Sequence, residues 1–253
     1  MIMLKSPEEI EIMRAANVIV AEVLAELRSR VRPGITTGEL DRIAEELTLK
    51  KGATPAFKGY TVAGRVYPAS LCASINDEVV HGIPSRARVL QTGDIVGLDF
   101  GVVYQGYYGD AAMTVPVGKV SPEAERLMRV TREALEAGIQ SIKPGAWVSD
   151  ISAAIQDTAE AAGYSLVREF VGHGIGKKLH EDPQVPNYRT GVRGVRLQEG
   201  LVLAIEPMVN AGGPEVYLKD DGWTAATRDG RLSAHFEHSV AVTAEGPYIL
   251  SLP

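Results

Sequence analysis

Cysteine is nearly absent from this chain: Cys72 is the only one in 253 residues. No intrachain disulfide can form, and no zinc site built on several cysteines is possible. A reducing compartment fits that usage. Positive charge is also short. Lysine and arginine total 26 against 32 aspartates and glutamates, giving a formal charge of -6 and a sequence pI near 5.5. The broad basic footprint of a nucleic-acid binder is therefore missing. No apolar run approaches the length of a membrane span. The opening residues, MIMLKSPEEIEIMRAA, place acids where a secretory signal needs an apolar stretch. A cytoplasmic chain with no nucleic-acid or membrane contact is expected.

What the chain does have is one phrase written twice. Leu90 to Asp99 reads LQTGDIVGLD and Leu197 to Glu206 reads LQEGLVLAIE. Each copy is a Gly-containing turn, an apolar run that reads as a buried strand, and a carboxylate at its end. The repetition extends outward. Ser6-Pro7-Glu8-Glu9 and Ser121-Pro122-Glu123-Ala124 each open a helical stretch, and each stretch closes on a basic residue, Pro and Gly, at Arg32-Pro33-Gly34 and Lys143-Pro144-Gly145. A shorter helix follows each time and stops near Gly52 or Gly163. His81-Gly82-Ile83-Pro84 precedes the first phrase, and His180-Glu181-Asp182-Pro183 precedes the second. Such a repeat points to one architecture made of two related halves. Their boundaries are approximately 1–120 and 121–253, within a single domain.

Ser6 is a natural N-cap, with Pro7 at the first helical position and Glu9 completing a capping box. Ile10, Met13, Val20, Leu24, Leu27 and Val31 then recur at helical spacing. Thr36 and Glu39 suggest a second capping box. Strands are expected at 69–75, 94–104, 110–116, 165–171, 201–208 and 235–243. The sum is an α+β domain, with helices covering one side of a largely antiparallel sheet.

An ionised carboxylate in an apolar strand is costly unless it is paired or binds a metal. Asp99 and Asp110 flank a turn signal, Gln105-Gly106, and a hairpin there would set them nearly opposite, about 5 Å apart at Cβ. Three readings stand: a metal between them, one protonated acid bonded to the other, or a register that separates them. Glu206 ends one apolar strand and Glu237 lies within another, SAHFEHSVAV. His238 should face away from Glu237 by strand alternation. Gly172-His173-Gly174-Ile175-Gly176 is a poor phosphate loop, since no helix follows and no Lys-Ser/Thr pair closes it. The glycines would instead let the His173 imidazole reach a site without crowding.

The set NDEVVHGIP (76–84), LDFGVVYQGYYGD (98–110), GHGIG (172–176), HEDPQV (180–185), IEPMV (205–209), GWTAAT (222–227) and SAHFEHS (233–239) resembles the type I methionine aminopeptidases, in their short bacterial-style form. The resemblance covers almost the whole chain. It implies the pita-bread fold, two α/β halves about a pseudo-twofold axis with two divalent metal ions between them. The implied ligands are Asp99, Asp110, His173, Glu206 and Glu237, with Asp110 and Glu237 bridging. Four carboxylates and one imidazole suit Mn, Fe or Co as well as Zn. The implied reaction is attack of metal-activated water on the first peptide bond, which removes an N-terminal methionine when the second residue is small.

The resemblance further implies Glu206 as general base, His180 as donor to the scissile carbonyl, and His81 beside the departing nitrogen. Tyr60, Tyr67, Cys72 and Trp223 are the implied walls of the methionine cleft, with Phe57 nearby. The family also implies a monovalent cation near the site, a nascent polypeptide as substrate, contact with the ribosome, and a monomer. Leu179 stands where the family often has Phe, and His235 where Gln is common. TVAGRV, after Tyr60, is a few residues longer than the usual loop.

Overall fold

Ser6 starts the first helix as its composition suggests: the Ser6 hydroxyl accepts from the Glu9 N–H and the Glu9 carboxylate accepts from the Ser6 N–H. Such a cap contributes about 0.5–2 kcal/mol. The computed structural model describes residues 2–253. Helix α1 spans Pro7–Arg30 and α2 spans Thr37–Lys50. The second pair, α3 at Pro122–Gln140 and α4 at Val148–Ala161, repeats that long-then-short order. Thr36 accepts from the Glu39 N–H, the half of the expected second capping box that forms.

Nine strands make the main sheet: β1 Thr54–Pro55, β2 Cys72–Ile75, β3 Ile95–Tyr104, β4 Tyr107–Pro116, β5 Gly172–Gly174, β6 Glu181–Val185, β7 Val202–Ile205, β8 Glu237–Thr243 and β9 Gly246–Ile249. Their order is β1-β3-β4-β8-β7-β5-β6, with β2 also on β3 and β9 on β8. Every pairing is antiparallel. The two copies of the repeated phrase feed β3 and β7, which occupy equivalent places on either side of the central β4–β8 pair. One hydrophobic cluster runs from Ala16 to Val117 under α1 and α2. Another, under α3 and α4, draws on Val120 onward and on Ile95.

The strand expectations for β3 and β4 match in place. The expected 165–171 strand shrinks to Ser165–Leu166, which pairs with Met208–Asn210 in a small separate sheet. The 201–208 and 235–243 runs are each broken in two, at Glu206-Pro207 and at Phe236. Proline has no N–H for a ladder, which explains the first break.

The hairpin register corrects one expectation. Gln105 and Gly106 both have positive φ, so the loop is a tight two-residue turn. It sets Asp99 opposite Ala112 and Asp110 opposite Gly101. The two acids are diagonal neighbours on one face, not directly opposed. Next to Asp110, Gly109 faces α1 on the other side of the sheet. A Cβ there would sit 2.8 Å from the Ala16 carbonyl carbon and 2.9 Å from the Asn17 nitrogen. Gly109→Ala should therefore cost about 1–3 kcal/mol, read as a lowered melting temperature. A melting temperature equal to that of the native protein would show that α1 can move aside.

Candidate metal centre

The ladder brings the acids together in a way that sequence spacing does not show. Cys72 stands opposite Asp99, Asp99 opposite Ala112, and Ala112 opposite Glu237. Ile205 stands opposite His238, so Glu206 follows on the strand beside Glu237. Cys72, Asp99, Ala112, Glu237 and Glu206 thus form one row across four strands and the end of a fifth. Asp110 lies two residues from Ala112, and His173 stands opposite Ala204, two residues from Glu206. Side chains two apart share a face, so all five expected ligands face one side.

Asp110, His173 and Glu237 are buried and bring ligand atoms within 4.8 Å of one another. His173 Nε2 is 3.5 Å from Glu206 Oε1, and His235 Nε2 is 3.7 Å from Glu206 Oε2. The Nδ1 of His173 lies 2.9 Å from the Gly174 carbonyl. A carbonyl only accepts, so Nδ1 carries the proton and Nε2 offers its lone pair to the site. The Asp110 backbone is fixed at both ends: its N–H donates to Asn17 Oδ1 at 3.2 Å, and its carbonyl accepts from Ser239 Oγ at 2.8 Å.

The glycines around His173 have a different role from the one expected. A Cβ on Gly172 would meet the Ala204 oxygen at 2.4 Å, and one on Gly174 the Asp182 oxygen at 2.2 Å. They let neighbouring strands close on β5, and freedom for the imidazole is not what requires them.

Burial and mutual repulsion set the protonation. Burial pushes Asp99 up to about 7. Burial, then Asp99 and Glu206, raise Asp110 well above the carboxylate range. Glu206 is raised by burial and then by Asp99; Glu237 is raised by burial, then by Asp110, Glu206 and Asp99. The imidazoles move the other way. Burial, with His180 adding, lowers His173 to about 3 and His81 to about 4. Burial lowers His180, and burial with His81 lowers His235 to about 3. These four imidazoles are neutral near pH 7, so no side-chain cation of theirs balances the carboxylates. Asp110 Oδ1 and Glu237 Oε1 are buried without a hydrogen-bond partner among the described residues. Orphaned oxygens among raised carboxylates are what a divalent cation satisfies, so the residues fit the metal.

Over this floor opens a cavity of about 180 Å³. Phe57, Tyr60, Tyr67, Cys72, Leu179 and Trp223 wall it, and His81 and His180 reach into it beside the four acids and the His173 imidazole. Trp223 packs edge-on to Tyr67, with centroids 5.2 Å apart. The Tyr67 hydroxyl is spent on the Leu71 and Gly82 carbonyls, both at 3.1 Å, so the ring presents only its apolar body. His81 holds a left-handed backbone, φ 60, and packs against Phe170 at 5.4 Å. Strain of that kind collects at functional sites. His238 lies on the opposite face, bonded to Ser251 at 2.7 Å.

The profile of metallopeptidase family M24 matches residues 11–244. The chain belongs to metallopeptidase family M24. Among M24 relatives, the methionine aminopeptidase of Clostridium perfringens is 53% identical over 252 residues, covering 100% of this chain and 99% of that protein. The crystal structure of the methionine aminopeptidase of Thermotoga maritima superposes with a TM-score of 0.96 at 48% identity and covers 100% of both chains. An Xaa-Pro dipeptidase from Bacillus anthracis shares the fold at a TM-score of 0.76 and 25% identity, but this chain covers only 61% of it. The pita-bread architecture is thus that of the M24 metallopeptidases, and family and carboxylate cluster together establish use of divalent metal.

Sequence reasoning missed several M24 site neighbours. Val62 and Phe170 line or flank the cleft, and Asn17, Asn187 and Ser239 anchor the backbone of Asp110 and Glu206. His235, already named from the sequence, is two residues from Glu237 on the same face. The others are joined to the site only by contacts across the fold.

Raised carboxylates must lose their protons to coordinate a cation, so metal binding near neutral pH should release protons and tighten as pH rises. Calorimetric titration of metal-free protein with Mn²⁺, in buffers of different ionisation enthalpy, should give buffer-dependent heats. Heats independent of the buffer would mean that the carboxylates are already ionised.

Proposed function

We infer that this chain is a methionyl aminopeptidase that removes the N-terminal methionine of nascent proteins and peptides and prefers a small second residue. One observation carries the reading: a narrow apolar cleft, walled by aromatic rings and the Cys72 thiol, ends directly on a cluster of metal-ligand side chains. A thioether fits such walls, because sulfur makes favourable contacts with aromatic rings. The near-complete coverage of relatives named methionine aminopeptidase supports it.

Asp99, Asp110, His173, Glu206 and Glu237 are the residues that would hold two divalent ions, drawn from Mn, Fe, Co and Zn. When bound, such ions supply Lewis-acid polarisation and lower the pKa of water. The chain's own residues do the rest. Glu206, flanked by two neutral imidazoles, takes the proton of the water that adds to the carbonyl carbon of residue one. His180 donates to the carbonyl oxygen as negative charge develops there. Tyr60 sets up that donor: its hydroxyl lies 2.7 Å from His180 Nδ1. With the phenol donating, the imidazole proton sits on Nε2, the tautomer that the carbonyl requires. As the C–N bond breaks, the proton held by Glu206 passes to the departing nitrogen beside His81. A cytoplasmic location goes with cleavage of nascent chains.

Chelated protein should be inactive on a Met-Ala-Ser peptide, and Mn²⁺, Fe²⁺ or Co²⁺ should restore turnover. Glu206→Ala should abolish it, since base and ligand are lost together. Full activity after confirmed metal removal, or cleavage of Xaa-Pro peptides with none of Met peptides, would overturn the reading.

The histidines should separate by assay. His180→Ala should lower kcat by about 10²–10³, the scale for one lost oxyanion donor, while its metal content stays near that of the native protein. His173→Ala should lose metal, measured by elemental analysis. The reverse pattern would exchange their roles.

A further inference from the structure

The stretch TVAGRV forms a hairpin, and its register places a second row of side chains above the methionine cleft. Thr61 pairs with Val66 and Val62 with Arg65. Ala63 and Gly64, at φ 48 and φ 80, make the tight two-residue turn. Tyr60 stands opposite Tyr67, whose N–H donates to the Tyr60 carbonyl at 2.8 Å, and the ladder ends there in a bulge at Gly59 (φ 86), whose N–H donates to the Tyr67 carbonyl at 2.9 Å. Tyr60, Tyr67, Val62 and Arg65 therefore share one face, while Thr61 and Val66 share the other.

That face is turned to the site. Tyr60, Tyr67 and Val62 all line the cavity, and Val66 does not. Arg65 Nη1 donates to the Gly222 carbonyl at 3.0 Å, which ties the hairpin to the residue before Trp223. Val62 is nevertheless 49% exposed, so an apolar wall stands open at the mouth.

We propose that Val62 forms a subsite for the third residue of the peptide substrate and favours an aliphatic side chain there. The inference rests on the aminopeptidase reading and adds to it. Tyr60 marks the first peptide bond through its contact with His180. An extended substrate advances about 3.3 Å per residue and returns a side chain to the same side every second residue. A substrate laid along this strand of the hairpin, outward from Tyr60, would bring its third side chain level with the Val62 row. The second side chain points away from it.

The test is kcat/KM on Met-Ala-Leu against Met-Ala-Gly peptides of equal length, taken as a ratio so that the folded fraction of each variant cancels. The native protein should favour Leu by about 4–15-fold, the scale of one or two buried methylenes. Val62→Ala should bring the ratio close to one, and Val62→Asp should favour Lys over Leu at that position. Val66→Ala, on the outer face, should leave the ratio as it is. A native ratio near one, an unchanged ratio in Val62→Ala, or an equal loss in Val66→Ala would overturn the subsite while leaving the aminopeptidase reading intact. Failure to cleave either peptide would overturn both.

Discussion

Four carboxylates buried in one patch repel one another, and the rest of this molecule is arranged around that repulsion. Taking a single carboxylate out of water already costs several kcal/mol without a partner (about 2–7 for even an uncharged polar group). The protein places four of them on one face of one sheet, without a lysine or arginine among the residues lining the cavity. The histidines that surround them are buried and neutral, and so offer lone pairs and hydrogen bonds in place of positive charge. Raised pKa values relieve the patch by protonation, and a bound cation relieves it with the carboxylates ionised. Asn17 and Ser239 hold the Asp110 peptide from either side, so the carboxylate keeps its place before a cation arrives.

Much of the architecture could be read before any coordinate. The doubled phrase named the two strands that flank the central pair, and the Ser-Pro-Glu starts named both long helices. The acids were legible because carboxylates at the ends of apolar runs are chemically out of place. The facing of Asp99 and Asp110 was not, because register depends on turn geometry, and a shift of a single ladder step changes which residues meet. The short strand through His173 was hidden for a related reason. Gly-His-Gly has poor strand propensity, yet the neighbouring backbones leave no room for anything larger on either side of the imidazole.

Contacts between distant segments were the least legible. Nothing local links Tyr60 to His180, yet the Tyr60 hydroxyl lies 2.7 Å from His180 Nδ1. The inserted residues after Tyr60 read as a loop of uncertain register. Only the pairing of Val62 with Arg65 shows that they are an orderly extension of the cleft wall. Specificity features of this kind belong to surfaces, where sequence pattern constrains structure weakly.

The two halves of the main sheet meet along a short line. Between β4 and β8 only Ala112 with Glu237 and Ala111 with His238 are in register. Asp99 and Asp110 come from one side of that line; His173, Glu206 and Glu237 come from the other. Ions held by all five would work as a clasp across that line, adding to the apolar cluster of Ile10, Met13, Ile175, Val202 and Leu250 that already packs the two halves together. Part of the molecule's cohesion would then share an origin with its chemistry, and a cell short of metal would hold a protein that is looser as well as idle.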